Sequence, residues 1–122
     1  MAGVMHVDWY ATVLRQDLFA AEVCAVAPLA LRYGATQYSV HRSRDDRYRI
    51  TQMAWFETKP AWYSYWEGPE MVEFRRRLSG KYQIPITYTW YDELVEGALG
   101  PEVGLEPEPL VPEPEPAPSA AV

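Results

Sequence analysis

The chain has 122 residues, a mass of 14.0 kDa and a single cysteine, Cys24. This length suits one domain, and one cysteine excludes both an intramolecular disulfide and a cysteine-based metal site, so a reducing cytoplasm is the expected location. The net charge is -6, yet the residues after Gly100 hold five of the 17 acidic side chains and none of the 11 basic ones. The nearly neutral remainder argues against a nucleic-acid binder, and no apolar run is long enough to predict a membrane span.

The same boundary separates two kinds of sequence. Every aromatic residue lies before position 92, whereas residues 101–122 alternate proline and glutamate through EPEPLVPEPEPAP. A proline- and glutamate-rich segment without aromatic side chains cannot build a core. We therefore predict one folded domain over residues 1–100 and a disordered acidic Pro/Glu-rich tail over residues 101–122, either simply solvated or serving as a tether that docks a protein partner.

The first half of the domain shows a strand, a helix and the start of a hairpin. Apolar side chains at odd positions alternate with polar ones at even positions over residues 4–14, which predicts a strand. Helical spacing follows from Asp17, a plausible N-cap, to a stop at Tyr33-Gly34. Pro28 is expected to kink this helix because it cannot donate a hydrogen bond to the carbonyl of Cys24.

The second half of the domain is again predicted to contain strands and a helix. The β-rich runs 36–43 and 47–57 flank a charged tip and predict an antiparallel hairpin. Thr58 caps a second helix that is interrupted at Gly68-Pro69. A last strand is predicted over residues 82–91, at a sheet edge because a proline within it lacks a donor.

The resulting order is β-α-β-β-α-β, which predicts an α+β ferredoxin-like sandwich with an antiparallel four-stranded sheet covered by helices on one face. The other face would expose apolar strand residues to water. A second copy of the chain is the simplest cover, so we expect a homodimer in which two sheets form a dimeric α+β barrel.

One segment carries a family resemblance. The sequence WYSYWEGPEMVEF, residues 62–74, follows the strand QMAWFET and resembles the second helix of the antibiotic biosynthesis monooxygenase (ABM) family. The family pattern usually has two histidines where this chain has Tyr65 and Glu70. The resemblance implies an ABM-like domain related to cofactor-independent oxygenases of aromatic polyketides, whereas loss of a helix-borne histidine argues against the haem-degrading branch.

The candidate site follows from this architecture. In a sandwich of this kind a cavity is expected between sheet and helices, lined by the polar side chains of strand one. A cofactor-independent oxygenase needs a base that deprotonates a phenol-like substrate, together with an aromatic pocket. The sequence therefore predicts His6 or Asp8 as the catalytic base, and substrate contacts from Tyr10, Trp62, Tyr65 and Trp66.

Two function classes remain open at this point. The first is a cofactor-independent monooxygenase or a binder of aromatic small molecules. The second is a non-catalytic interaction module, in which the same residues only pack the core or the dimer and the tail acts as a tether. No cofactor is expected, and a metal site would need His6, Asp8 and His41 to converge, which their spacing does not indicate.

Overall fold

The computed structural model describes residues 2–100. These residues form four strands and three α-helices, with a 3₁₀ helix after the first α-helix. The tail predicted over residues 101–122 lies outside the described part. The elements are β1 (Gly3–Tyr10), α1 (Gln16–Val26), the 3₁₀ helix (Ala27–Tyr33), β2 (Ala35–Arg42), β3 (Arg49–Phe56), α2 (Lys59–Trp66), α3 (Pro69–Arg77) and β4 (Thr87–Asp92).

The strands form one antiparallel sheet in the order β2-β3-β1-β4. The two central strands pair in register, with Met5 opposite Ala54 and His6 opposite Met53. Strand β4 adds to the free edge of β1, so the predicted edge position is confirmed, although Pro85 lies in the loop before the strand and not within it. The sheet is open, and the predicted ferredoxin-like α+β fold is confirmed.

Proline, glycine and threonine set the helix boundaries. Because Pro28 has no N–H to donate, α1 ends at Val26 and the chain continues as a 3₁₀ helix rather than as a kinked α-helix. Gly34 ends that segment with a left-handed φ of 104°. The Thr58 side chain accepts a hydrogen bond from the Ala61 amide at the start of α2. The Gly34 and Thr58 signals agree with the sequence, whereas Asp17 lies in the first turn of α1 and the N-cap is Arg15.

The core lies on one face of the sheet. The odd-numbered residues of β1 are buried beneath the helices, and Phe19, Val23 and Val26 of α1 pack against them. Cys24 is exposed because it lies about 100° around the helix from the buried Val23. The other sheet face, which we call the open face, carries none of the helices found in residues 2–100.

Strand β4 is shorter than predicted. It begins at Thr87, and residues 82–86 form a loop in which only Tyr82 makes a bridge, to Ala11. Strand β1 likewise ends at Tyr10 rather than at residue 14. In the described residues no helix is long and apolar enough to cross a membrane.

Candidate functional site

The sheet separates the predicted site residues into two groups. Trp62, Tyr65 and Trp66 are buried between the sheet and the helices, as expected for an aromatic wall. His6 and Asp8 lie on the open face instead, because the apolar side chains of β1 take the side that faces the helices. The prediction that both groups line one cavity is therefore wrong, although this placement leaves their individual roles untested.

Beneath the helices, aromatic rings form a continuous layer. We call the following five residues the aromatic cluster. The Trp62 and Trp66 rings are stacked with centroids 5.1 Å apart, and both contact the ring of Tyr88. Such pairs stabilise a core beyond their buried area. The members are Trp9, Trp62, Tyr65, Trp66 and Tyr88.

A buried glutamine links the cluster to the backbone. Gln52 is 1% exposed and accepts a hydrogen bond from the Trp9 indole at 2.9 Å. Its amide nitrogen donates to the Tyr65 hydroxyl at 3.0 Å, and that hydroxyl donates to the Val26 carbonyl at 2.9 Å. Burial raises the pKa of Tyr65, so its hydroxyl stays protonated and acts as a donor.

One donor in the cluster has no partner. Trp62 is 1% exposed, so its indole Nε1–H is shielded from water. This N–H makes no hydrogen bond within the described residues. Leaving such a group unpaired costs about 1–3 kcal/mol. An acceptor atom placed next to this N–H would offset the cost.

Two side chains cover the outer side of the cluster. The guanidinium of Arg75 lies 4.2 Å from the Trp66 ring centroid and donates to the Trp66 carbonyl at 2.9 Å. Tyr88, on the edge strand β4, is 43% exposed and contacts the same ring. Tyr88 is thus the most exposed member of the aromatic cluster and the one that lies on an edge strand.

The open face has a different chemistry. His6 packs against the Tyr91 ring at 4.5 Å, and Asp8 accepts a hydrogen bond from the Thr51 hydroxyl at 3.2 Å. Three clefts of about 330, 400 and 410 Å³ lie around this face and its ends. One of them contains Asp8 and Tyr10, so the structure brings these two predicted residues together.

Tyr10 is tied to the hairpin tip. Its hydroxyl donates to Asp46, and this hydrogen bond raises the pKa of the Tyr10 hydroxyl. Its ring is stacked on Tyr48 with centroids 6.3 Å apart. His41, the second histidine, is exposed and bonded to Ser39, and no group of three metal-ligating side chains gathers in residues 2–100.

The two positions where the ABM pattern has histidines have structural contacts here. Tyr65 belongs to the buried hydrogen-bond chain just described. Glu70, in the first turn of α3, accepts a hydrogen bond from the Tyr33 hydroxyl and lies 3.7 Å from Arg32. The Tyr33 bond lowers the pKa of Glu70 below its ordinary value of 4.5. Glu70 therefore joins α3 to the 3₁₀ helix.

This contact predicts a pH-dependent loss of stability. A carboxyl whose pKa is lowered on folding stabilises the protein above its unfolded pKa, and the contribution is lost as the pH falls through the folded value. We expect Glu70→Gln to lower the urea midpoint at about pH 7 and to differ little from the parent at about pH 3. The control is Glu57→Gln, a carboxylate without a side-chain hydrogen bond in residues 2–100, and an equal loss there at neutral pH would contradict the assignment.

Comparison with known proteins supports the fold. No protein-family model matches the chain, and no curated protein does either. Among solved structures, a putative antibiotic biosynthesis monooxygenase from Nitrosomonas europaea is similar with a TM-score of 0.70 and 16% identity, over 76% of this chain and 90% of that one. A putative antibiotic biosynthesis monooxygenase from Deinococcus radiodurans has a TM-score of 0.68 at 13% identity, over 82% and 100%.

A third similar structure is SnoaB, a cofactor-independent oxygenase from Streptomyces nogalater. Its TM-score is 0.66 at 11% identity, and the match covers 78% of this chain and 95% of that one. At these identities the likeness establishes the fold, which is that of the ABM-like α+β proteins. The resemblance noted in residues 62–74 is thus confirmed at the level of an ABM-like fold.

Proposed function

We propose that this protein is a homodimeric binder of planar aromatic small molecules, with the ligand held at the aromatic cluster. The observation that carries the proposal is the buried, unpaired indole N–H of Trp62 beside the stacked ring of Trp66. Stacked rings supply apolar surface for a flat molecule, and a single donor fixes the orientation of its oxygen. The resemblance of residues 62–74 to the ABM family, which includes oxygenases of aromatic polyketides, implies the same class of ligand.

The chemistry of the cluster favours binding over turnover. Oxygenation without a cofactor needs a group that removes a proton from the substrate. The polar groups here are the indoles of Trp9, Trp62 and Trp66, the hydroxyls of Tyr65 and Tyr88 and the neutral amide of Gln52. None of them is basic, and His6 lies across the sheet. A monooxygenase reaction would therefore need a base supplied from outside the cluster.

The homodimer is part of this proposal. Val4, Met53 and Trp55 are partly exposed apolar side chains that lie side by side on the open face, next to His6. A contiguous apolar surface of this kind is rarely left in water. A second copy packed against it would complete a dimeric α+β barrel and would leave the aromatic cluster of each copy beneath its own helices.

The second candidate is the interaction module. It is favoured by the position of the clefts, which lie around the open face, whereas the space beneath the helices is filled by side chains. In this case any small molecule would bind at Asp8 and Tyr10, or near Trp55, and the aromatic cluster would act only as core. The two candidates thus differ in which tryptophan a ligand contacts.

Calorimetric titration with alizarin, a planar hydroxyanthraquinone, tests the proposal. Its carbonyl and phenolate oxygens can accept the Trp62 N–H, so Trp62→Phe should weaken binding roughly three- to tenfold, the value of one hydrogen bond. The phenylalanine keeps an aromatic ring at this position. It also removes the unpaired donor, so the free protein should lose little stability beyond the loss caused by the smaller side chain.

The control for this titration is Trp55→Phe, which removes an indole from the open face. We expect it to leave the alizarin affinity unchanged. If Trp55→Phe weakens binding while Trp62→Phe does not, the ligand lies on the open face and the interaction module is the better description. Absence of alizarin binding to the parent protein would also count against the proposed function.

A further inference from the structure

The part of the molecule that the proposed function does not use is the end of the sheet at the β2–β3 hairpin. Three loops meet there: residues 11–15 after β1, the hairpin tip 43–48, and residues 80–86 before β4. Backbone hydrogen bonds join the first and third, from the Thr12 amide to the Lys81 carbonyl at 3.1 Å and from the Gln83 amide to the Tyr10 carbonyl at 2.8 Å. A cleft of about 400 Å³ lies at this end.

This end combines an apolar rim with aromatic rings. Val13, Leu14 and Ile84 are 72%, 78% and 79% exposed, which is unusual for three branched apolar side chains on neighbouring loops. Leu14 also has a φ of 67°, a strained value for a residue other than glycine. The stacked rings of Tyr10 and Tyr48 lie beside the cleft. The surface is thus suited to an extended apolar segment.

The same end is rich in positive charge. Four acidic residues are also present: Asp17 pairs with Arg42 and Arg47, Asp46 accepts a hydrogen bond from Tyr10 and Asp8 from Thr51, and Asp45 lies in the tip. At the opposite end of the sheet the charge is reversed, with acidic side chains at residues 57, 92, 93 and 96 against Arg32 and Lys59. The basic residues at the hairpin end outnumber its acidic ones and are Arg15, Arg42, Arg44, Arg47, Arg49 and Lys81.

We propose that the chain's own segment EPEPLVPEPEP, residues 106–116, docks at this cleft. Leu110 and Val111 form an apolar centre that is flanked on each side by two glutamates, with no basic residue nearby. This pattern is complementary to an apolar rim surrounded by arginines. Proline-rich segments bind aromatic grooves because they lose little conformational entropy on binding.

The chain is long enough for this contact. From Gly100 to Leu110 an extended proline-rich segment covers about 31 Å at about 3.1 Å per residue. The eight residues of β1, from Gly3 to Tyr10, span about 26 Å at about 3.3 Å per residue. Because residue 100 lies beyond β4, which ends at the opposite end of the sheet, residues 101–110 can run back along the sheet to the cleft.

Paramagnetic broadening in the full chain tests the proposal. A nitroxide is attached at Ala117→Cys in a Cys24→Ser background, so that the label is unique. Docking predicts loss of the amide signals of Gln83, Ile84 and Thr87, which line the cleft, and recovery of these signals at high salt because the contact is ionic. The double variant Arg44→Glu/Arg49→Glu should also restore them.

The matched control is Arg32→Glu/Lys59→Glu, which makes the same charge change at the opposite end of the sheet and should leave the broadening in place. Unbroadened cleft amides in the parent chain, or broadening that survives Arg44→Glu/Arg49→Glu, would overturn the proposal. A mixture of spin-labelled chains with ¹⁵N-labelled, label-free chains detects docking of the partner's tail, and broadening of the cleft amides of the label-free chains would overturn docking of the chain's own segment. None of these readouts depends on ligand binding at the aromatic cluster.

Discussion

Gln52→Ala is expected to destabilise the domain by about 3–5 kcal/mol and to lower its melting midpoint by roughly 15 °C or more. The substitution leaves the Trp9 indole without its acceptor and removes the amide that donates to Tyr65. It also creates a cavity in a core where the side chain is 1% exposed. Urea unfolding and thermal unfolding followed by near-UV circular dichroism measure the loss.

The control is Gln37→Ala on β2, which shortens an exposed glutamine without breaking a side-chain hydrogen bond found in residues 2–100. Its effect should stay within about 0.5 kcal/mol. Tyr65→Phe separates the two parts of the Gln52 effect, because it removes only the hydroxyl and leaves the ring in place. A Gln52→Ala variant as stable as Gln37→Ala would show that the buried hydrogen-bond chain does not hold the cluster together.

Met53→Glu should dissociate the proposed homodimer. Met53 lies at the centre of the open face, paired with His6 on one side and Ser39 on the other. A charge placed there would have to be buried without a partner in the dimer, which costs several kcal/mol. Light scattering of the parent chain at micromolar concentration should give twice the 14.0 kDa monomer mass, and Met53→Glu should give the monomer mass.

Val72→Glu is the matched control for this experiment. Val72 is an exposed apolar residue of α3, so the new charge lies on the helical side of the sheet and remains in water. We expect it to leave the mass unchanged. A parent chain that is monomeric at these concentrations would contradict the dimer, and so would dissociation by Val72→Glu to the same extent.

The elements could be predicted because their signals are local. Thr58 with Pro60 after it, Gly34 with its left-handed φ, and the hairpin tip each act within a few residues. The edge position of the last strand was predicted correctly but for a reason that does not apply, because Pro85 lies in the loop before β4 and takes no part in the sheet. The order of these elements then determined the fold class, and the observed sheet order agrees with it.

The candidate site was harder to predict because it depends on which strand face the helices cover. Alternation divides β1 into two faces but does not say which one faces a cavity. Assigning the polar face to the interior placed His6 and Asp8 there, whereas burial of Met5, Val7 and Trp9 is more favourable. Gln52 was missed, although it occupies an otherwise apolar series with Ile50 and Ala54 on β3. A polar residue in such a series was the available signal.

The most direct test of the central claim follows the five indole N–H signals by NMR while alizarin is added. Single Trp→Phe variants assign each signal. If the ligand is held at the aromatic cluster, the Trp62 indole signal should move strongly downfield, because its unpaired donor gains an acceptor, while the Trp55 signal stays in place. A shift confined to Trp55, or no shift at Trp62 when alizarin is saturating, would contradict binding at the cluster.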